Sequence, residues 1–580
     1  MIKNDIRPPR KVTVAKPAAA NTPPISKPTS PVAKTTPQDG SWKKWVTLVV
    51  LSLALAIIII DTTLLNVSLS SIIKDLHTDI QSLQWVISGY SLTLAALTIT
   101  GGRFGDLFGR KNMFVLGAIL FAIGSYITSI STTIPVMIAG EAIIEGIGAA
   151  LMMPATSSLL VATFRGRERA LAFGVWGAIA AGAAALGPVL GGYLTTNYTW
   201  RYGFRINIIV AAILVIGSFI IKESRDTEEK PTIDWIGVLL SSTGLFACIF
   251  GVIESSRYGW WTAKQLFVIG STPIEIIQGI SIVPFAIVLG VCIIGLFLLW
   301  ESSMDQRGKT PLVSIRLFRN QQFTSGIVTM LVLSLGQSGL IFSIPVFLQS
   351  VRRLDAFHTG LALLPMSLAL LVVAPLSALL TSKIVPKYLI QAGLLLNIVA
   401  YFVLRESFSV EADVATFIPG LLIFGAGLGL VMSQINNLTL SAVSVQEAGE
   451  ASGVSNTMRQ IGSSLGSAII GAVLLSALAT NLSSSIQGST VVPDSMKDTL
   501  ATSVPAQTSD VEFSGLNATT SQLPTYISNE IHSLSQQATV DANKTALLYG
   551  ILFAILGFLV SFWLPSVKNL EKNQSVAKGH

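Results

Sequence analysis

Long apolar blocks recur along this chain of 580 residues, and each is about as long as a helix that crosses a membrane. The block "WVTLVVLSLALAIIII" at residues 45–60 contains no charged residue. Only 12% of all residues are charged, about half of the roughly 25% that is typical of soluble domains. The sequence therefore predicts an all-α polytopic membrane protein embedded in a lipid bilayer.

Polar breaks separate these blocks into fourteen segments, which predict fourteen transmembrane spans. The spans lie near residues 45–68, 84–104, 112–130, 134–160, 170–194, 204–221, 235–254, 281–300, 323–348, 360–382, 387–404, 415–440, 455–478 and 546–564. An even number of spans places both termini on the same side of the membrane.

Lys and Arg are distributed unequally between the connecting loops. The richer set of alternate loops contains Arg103, Arg110, Lys111, Arg165, Arg167, Arg169, Lys222, Arg225, Lys230, Arg307, Lys309, Arg316, Arg319, Lys383 and Lys387. Because Lys and Arg concentrate in cytoplasmic loops, we expect these loops and both termini to be cytoplasmic in a multi-pass plasma-membrane protein.

The segments outside the spans have distinct compositions. Residues 1–44 carry nine Lys/Arg and two acids, a net charge of +7, and their Pro, Ala and Thr content predicts a disordered tail. No short apolar segment precedes Trp45, so no cleavable signal peptide is expected. In the outward loop at 255–280, "RYGWW" predicts an interfacial aromatic anchor. The Ser/Thr-rich outward loop at 479–545 is expected to be loosely ordered.

Soluble-enzyme and metal chemistry find little support in the sequence. Cys248 and Cys292 both lie in apolar runs, and the four histidines are scattered without ligand spacing. No nucleophile or phosphate-binding loop stands out. We therefore expect no catalytic residues, no metal site, no cofactor and no nucleic-acid partner.

Three acidic residues lie inside predicted spans. Asp61 interrupts the first span, where a charge costs about 2.5–3.5 kcal/mol or more. Glu141 and Glu145 are i and i+4 in the fourth span, on one helical face. Structural pairing with a base is one interpretation, but spans one to five contain few deep bases. An acid in a cavity of changing wetness can instead bind a proton on one side and release it on the other. We therefore predict proton coupling through Asp61, Glu141 and Glu145.

The loop "GRFGDLFGRK" at 102–111 joins the second and third spans. It contains Gly102, Arg103, Asp106, Gly109, Arg110 and Lys111. One interpretation is a positive-inside loop with a solvated acid. The order G-x-x-x-D-x-x-G-R-K is nevertheless unlikely in a random loop, and Asp106 can pair with Arg103, Arg110 or a neighbouring helix end. The stretch resembles the signature loop of the major facilitator superfamily.

Other segments resemble the fourteen-span drug/proton antiporter branch of that family, in the same order along the chain. They are "IIDTTLLNVSL" (59–69), "ALGPVLGG" (185–192), "WRYGFRIN" (200–207), "DWIG" (234–237), "WE" (300–301), "LALLP" (361–365) and "EASGVSNTMRQIGSSLG" (450–466). In "ALGPVLGG", the antiporter motif, Gly187, Gly191 and Gly192 allow close helix packing and Pro188 bends the span.

The resemblance implies two six-helix bundles with two inserted central helices, which transport by rocking-type alternating access. The implied boundaries are 1–44 for the tail, 45–221 for the N-terminal bundle, 222–322 for the inserted spans and linkers, 323–566 for the C-terminal bundle and 567–580 for a cytoplasmic tail. The resemblance also implies that the loop at 102–111 is a conformational switch and that a proton gradient is the energy source.

One position departs from the family pattern. In "AGEAIIEGIGAALMMPA" (139–155), Ala142 stands where the family usually has an arginine, and Glu145 stands where it usually has a glutamine. The resemblance therefore does not carry the usual arginine role over to this chain, and whether Glu141 and Glu145 replace it stays open.

Polar and aromatic residues in several spans are candidates for the substrate path, or for ordinary contacts between helices. They are Trp85, Tyr90, Trp176, Asn207, Gln337, Gln434, Asn436 and Asn437. Asp234 and Glu301, at span ends, are interpreted as interfacial acids.

Several functions fit this pattern. The first is a monomeric, proton-coupled exporter of drugs or other amphipathic or cationic organic compounds. The second is an exporter of one endogenous metabolite, lipid or antibiotic on the same scaffold. A channel or receptor is a further alternative, but we find no repeated pore-lining polar segments or charged rings. A membrane enzyme would need a constellation of catalytic groups, which is also missing.

Overall fold

A computed structural model describes residues 41–565 except 79, 225–233, 270–271, 275–276, 308, 310, 382, 445–446 and 509–523. The predicted basic tail and C-terminal tail lie outside the described residues, apart from 41–44. The first half contains α1 (Ser41–Leu76), α2 (Ile80–Phe108), α3 (Arg110–Ser129), α4 (Ile134–Met137), a π-helix (Ile138–Glu145), α5 (Gly146–Thr163), α6 (Gly166–Asn197), α7 (Arg201–Gly217) and a 3₁₀ turn (Ser218–Ile220).

The rest is also almost entirely helical. It contains α8 (Trp235–Ile253), α9 (Ser255–Tyr258), strands β1 (Phe267–Ile269) and β2 (Thr272–Ile274), α10 (Ile282–Gln306), α11 (Ile315–Arg319), α12 (Gln321–Ser350), α13 (Ala356–Leu380), α14 (Pro386–Ser407), α15 (Val414–Leu440), α16 (Ala448–Gly488), α17 (Asp494–Thr508) and α18 (Thr525–Ser561). The prediction of an all-α membrane protein is confirmed, with one short antiparallel hairpin in the loop at 255–280.

Thirteen helices in the described part of the chain are long and apolar enough to cross a membrane. They coincide with thirteen of the fourteen predicted spans. The second predicted span, 84–104, lies within α2, a helix of 29 residues that contains many Ser, Thr and Gly residues. Its length is enough to cross a membrane, although it is not among the thirteen.

Side-chain caps define where several of these helices begin. Asp234 accepts from the Gly237 amide at 3.0 Å at the start of α8. Asp355 accepts from the His358 amide at 2.7 Å at the start of α13. Each cap satisfies a backbone donor that the first helical turn leaves without a partner.

Four helix pairs join the halves that flank the inserted α8 and α10, and they include α5 with α16 and α6 with α15. α2 packs against α16, and α6 packs against α13. Small residues allow this contact, since a Cβ at Gly453 would lie 3.1 Å from the Cα of Ile99. The inserted α10 packs chiefly on α8, while α8 also contacts α2 and α16. The inserted pair therefore lies beside the contact between the two halves.

The expectation of loose order at 479–545 is wrong for the described part of that segment. α16 continues to Gly488, α17 follows, and α18 begins at Thr525, so only 509–523 lie outside the described residues. Leu482, Ile486 and Ile531 are fully buried in a shared apolar cluster. These helices bury enough apolar surface against one another to be ordered despite their many polar residues.

Candidate functional site

The fourth span contains a π-helix near its start, at Ile138–Glu145. α4, the π-helix and α5 form one continuous helical segment from Ile134 to Thr163. Glu141 and Glu145 both lie in the π-helical part. Such wide turns inside α-helices are rare and occur frequently at functional sites. The predicted i, i+4 pair is therefore present, on a wider turn than the α-helix that the sequence indicated.

The structure brings the three predicted intramembrane acids together. Asp61 of α1 meets Glu141 and Glu145, and one carboxylate oxygen from each lies within 4.8 Å of the others. All three residues are completely buried. We call Asp61, Glu141 and Glu145 the acid cluster.

Two polar side chains from other spans bind the acid cluster. The Asn207 Nδ2 of α7 donates to Asp61 Oδ1 at 2.6 Å and lies 3.4 Å from Glu145 Oε1. The Ser125 hydroxyl of α3 donates to Glu145 Oε1 at 2.7 Å. Four helical elements therefore contribute side chains to this one buried site.

Several acceptors of the acid cluster have no hydrogen-bond partner among the described residues. They are Asp61 Oδ2, both carboxylate oxygens of Glu141 and Glu145 Oε2. The described ion pairs do not include any of the three acids either. Three ionised carboxylates this close, without a cation, would repel one another strongly in a dry interior. The arrangement therefore suits groups that share protons or receive a cation, and its oxygen atoms could also hold a hard metal ion.

The predicted substrate-path residues do not gather at one place. Tyr90 is buried, and its hydroxyl has no hydrogen-bond partner among the described residues. Asn207 contacts the acid cluster directly. Trp85 instead stacks on Phe250 of α8, with ring centroids 5.9 Å apart.

The other candidates have contacts elsewhere in the described structure. Trp176 is buried with an unpartnered indole N–H, and Gln337 lines a small cavity among α12, α14, α15 and α18. Gln434 Nε2 donates to Ser377 Oγ at 2.7 Å, and Asn436 Nδ2 donates to a carbonyl of its own helix at 3.0 Å. Asn437 is half-buried in α15.

The loop at 102–111 joins the two halves through one buried acid. Arg110 Nη2 donates to Asp106 Oδ1 at 2.7 Å. The same carboxylate accepts from the backbone amides of Gly449 at 3.1 Å and Glu450 at 2.8 Å, at the start of α16. Burial raises the pKa of Asp106, while the charge and hydrogen bonds of Arg110 oppose that shift. Asp106 therefore pairs with Arg110 and caps a helix of the other half, which excludes the solvated-acid interpretation.

Gly109 forms the turn between α2 and α3 that lets Arg110 pair with Asp106. Its φ of 103° lies in a region that residues with a side chain rarely adopt. The Glu223 carboxylate accepts from the amides of Lys111 at 3.1 Å and Asn112 at 3.2 Å, at the start of α3. The turn and this cap together orient Arg110 toward Asp106.

The residues of the antiporter motif lie between α1 and α13. A Cβ at Gly187 would lie 2.8 Å from Thr63 Cβ, and one at Gly191 would lie 3.1 Å from the Cα of Leu64. A Cβ at Gly192 would meet Phe357 of α13 at 3.6 Å. The prediction that these small residues allow close packing agrees with this geometry, and Pro188 lies within α6.

Buried acids near the loop at 102–111 were not identified as such from sequence. Glu301 is fully buried and accepts from the Val313 amide at 3.3 Å, while Glu450 accepts from the Ser314 amide. Asp234 is 8% exposed and accepts from the Trp300 indole at 2.9 Å. Asp234 and Glu301 lie near the ends of α8 and α10, as the sequence indicated, and both are buried and hydrogen-bonded. Their position at a membrane interface stays a prediction.

Residues 51–467 match the Major Facilitator Superfamily. The chain belongs to this family. It is similar to the tetracenomycin C resistance and export protein of Streptomyces glaucescens, with 28% identity over 76% of this chain and 78% of that protein. It is also similar to the multidrug resistance protein Stp of Mycobacterium tuberculosis, with 29% identity over 77% of this chain and 79% of that protein. Members of the family are membrane transporters rather than enzymes.

Solved structures share the fold. A double-tryptophan mutant of XylE matches with a TM-score of 0.55 and 13% identity, over 93% of this chain and 99% of that one. The human organic anion transporter MFSD10 matches with a TM-score of 0.52 and 13% identity, over 90% of this chain and all of that one. The fold is therefore that of the major facilitator transporters.

Proposed function

We propose that this transporter is a proton-coupled antiporter that exports drugs or other amphipathic or cationic organic compounds across the plasma membrane by alternating access. The observation that carries this proposal is the acid cluster. Three fully buried carboxyl groups lie within 4.8 Å without a paired base among the described residues. Protons or a cationic substrate are the simplest partners that neutralise such a cluster.

The transport cycle follows if protons and the cationic substrate cannot occupy the acid cluster at the same time. When the acid cluster opens to the outside, substrate leaves and protons bind. When it opens to the cytoplasm, protons leave and a cationic substrate binds in their place. Burial of the anionic cluster without one of these partners costs a large free energy. The transporter therefore changes conformation with either protons or substrate bound, and this couples proton entry to substrate exit.

The Asp106 contact supports a role for the loop at 102–111 as a switch between these states. Asp106 binds two amides at the start of α16 and therefore holds the two halves together at one end. Rocking of the halves must break these bonds. The loop thus acts on the rate of conformational change rather than on substrate binding.

The remaining parts of the proposal are orientation, cofactor and assembly. We assign both termini to the cytoplasm, from the Lys/Arg asymmetry of the loops. Cysteines introduced at Thr36 and Ser514, both outside the described residues, should react with membrane-impermeant reagents from opposite sides. Labelling of both from outside contradicts the assignment. The protein is proposed to work as a monomer, without catalysis or a cofactor.

Transport of unrelated cationic dyes, driven by an imposed pH gradient, tests the proposal. Inside-out vesicles should take up these dyes when their lumen is acidic, and collapse of the gradient should abolish uptake. Uptake that persists without a gradient, or that requires ATP, contradicts proton coupling.

Export of a single compound is the second candidate. Two relatives, the tetracenomycin C export protein and a probable actinorhodin transporter from Streptomyces coelicolor, are each named for one antibiotic. In that case most unrelated dyes fail in the vesicle assay, while one endogenous compound is transported with the same dependence on the pH gradient.

A further inference from the structure

A single arginine lies within the long helix α16. Arg459 is eleven residues beyond Ala448, about 16 Å along the helix from its first residue. Its side chain reaches α5, where Nη2 lies 3.4 Å from the sulfur of Met153. Met153 is ten residues before the end of α5 at Thr163, about 15 Å along that helix. Both distances place the guanidinium well inside the protein, between the two halves.

The partners of Arg459 are weak for a charged group. Besides Met153, it donates to Asn456 Oδ1 of its own helix at 3.2 Å. A thioether is a poor acceptor, and an amide oxygen carries no charge. The ion pairs among the described residues do not include Arg459. A guanidinium that only stabilised the fold at this depth would normally be paired with a carboxylate.

The surroundings of Arg459 suit an apolar or aromatic molecule. Met153, which Arg459 contacts, belongs to a buried apolar cluster, and Met458 and Ile461, close to Arg459 along the chain, pack against the same cluster. Methionine side chains are flexible and polarisable, so they adapt to organic molecules of varied shape.

Arg459 is a cation and the acid cluster can carry negative charge. The two lie at different depths along the fourth span. Met153, which Arg459 contacts, is eight residues from Glu145 on one continuous helical segment, about 12 Å along its axis. A substrate of that length with a cationic group and an anionic oxygen could reach both ends.

We infer that Arg459 binds an anionic oxygen, such as a carboxylate or phenolate, of an amphipathic organic substrate. The planar guanidinium can donate two parallel hydrogen bonds to such a group. This extends the substrates beyond simple cations to zwitterions and aromatic acids. The inference rests on the proposed transport of organic compounds but not on its proton coupling.

Two dyes that differ in one group test the inference. Rhodamine 110 has a free carboxylate, and rhodamine 123 is its methyl ester. Dissociation constants are measured by fluorescence anisotropy on the purified full chain, for the wild type, Arg459→Gln and Arg459→Lys. Arg316→Gln is the matched control, because Arg316 is exposed and paired with Asp305. Size-exclusion profiles and melting temperatures establish that each variant is folded.

We expect Arg459→Gln to weaken rhodamine 110 binding about tenfold and to change rhodamine 123 binding by less than about twofold. Arg459→Lys should give an intermediate loss, since it keeps the charge without the planar pair of donors. Equal changes for both dyes, or a wild type that does not bind rhodamine 110, overturn the inference.

The binding assay needs no gradient, so its outcome is separate from that of the proposed function. If the two dyes are discriminated as expected but no pH gradient drives their efflux, the antiport proposal fails and the role of Arg459 stands. If efflux follows the gradient but Arg459→Gln affects both dyes equally, the antiport proposal stands and the proposed role of Arg459 fails.

Discussion

The side-chain amide of Asn207 donates to Asp61 across 2.6 Å and so joins α7 to α1 inside the predicted membrane region. The same nitrogen lies 3.4 Å from Glu145, so one uncharged side chain connects two members of the acid cluster. A donor between two buried acids stabilises negative charge on them without adding a permanent positive charge. Asn207 thereby leaves the cluster free to exchange protons, which a permanently bound arginine would oppose.

Replacement of this donor should impair transport. Asn207→Leu keeps the side-chain size but removes the hydrogen bonds to Asp61 and Glu145, and a bond to a charged acceptor contributes about 1.5–3 kcal/mol. We expect at least about a tenfold lower rate of dye efflux in vesicles. Asn197→Leu is the matched control, because Asn197 is exposed and its Nδ2 donates to a carbonyl of its own helix at 2.9 Å. Equal rates for Asn207→Leu and wild type would show that the bond is dispensable.

Asp106→Asn should slow transport and leave folding intact. Asparagine keeps one acceptor oxygen but loses the charge that Arg110 and the two amides of α16 bind. The measurement is the maximal rate of efflux, with substrate affinity determined separately on purified protein. The rate should fall several-fold and the affinity should not change. Asp355→Asn, at an exposed helix cap, is the control and should transport normally. An unchanged rate for well-expressed Asp106→Asn counts against the switch role.

Gly124→Ala should destabilise the protein through the π-helix. A Cβ at Gly124 would lie 2.6 Å from the Glu145 amide nitrogen and 2.7 Å from the Gly140 carbonyl oxygen, so α3 and the fourth span must move apart. Overpacking of this kind costs about 1–3 kcal/mol. Thermal unfolding should show a lower midpoint and vesicle assays a lower transport rate. Gly182→Ala has open space around its Cβ and should match the wild type. A wild-type midpoint for Gly124→Ala would refute this packing argument.

The ion pair between Asp75 and Arg201 should make stability depend on pH. The Arg201 side chain bonds Asp75, as does the Trp200 indole at 3.2 Å, and these bonds hold the pKa of Asp75 below its usual value. A lowered pKa stabilises the folded state above the unfolded pKa of about 3.8, and this contribution is lost as pH falls through the lowered folded value. Asp75→Asn should therefore melt slightly lower than wild type at pH 7, and the two should converge below about pH 4. The effect is small because the pair is partly exposed. A difference that grows on acidification contradicts the argument.

The spans and the proximity of the three acids could be predicted from sequence because both depend on simple counting. Apolar length indicates the spans, and the number of residues from the span start places Asp61, Glu141 and Glu145 at similar depths. The π-helix could not be predicted, since the residues at 138–145 favour an α-helix equally well. The π-helix packs closely against α3, where the lack of a side chain at Gly124 leaves room for Gly140 and Glu145, and this long-range contact is not visible in the local sequence.

Features that depend on long-range packing were missed. The repeat of Leu478, Leu482 and Ile486 at four-residue intervals was a signal for the helix that continues past 479, but the polar composition obscured it. Burial of Glu301 depends on the path of the linker at 312–314, which local sequence does not indicate. The importance of Arg459 could have been inferred from sequence, since it is the one charged residue between Glu450 and Gly488. An ionisable residue inside a predicted span indicates a functional role.

Substrate-induced proton release by the purified transporter tests the central claim most directly. The wild type, Asp61→Asn, Glu141→Gln and Glu145→Gln are reconstituted in proteoliposomes, and proton release is recorded on addition of a cationic substrate. Asparagine at position 61 keeps the size of aspartate but cannot bind a proton or attract a cation. We predict that Asp61→Asn abolishes release for every substrate, whereas the two glutamine variants still release protons and change which cations are accepted. Release that persists in Asp61→Asn and disappears in Glu145→Gln would contradict the account and identify the fourth-span acid as the coupling site.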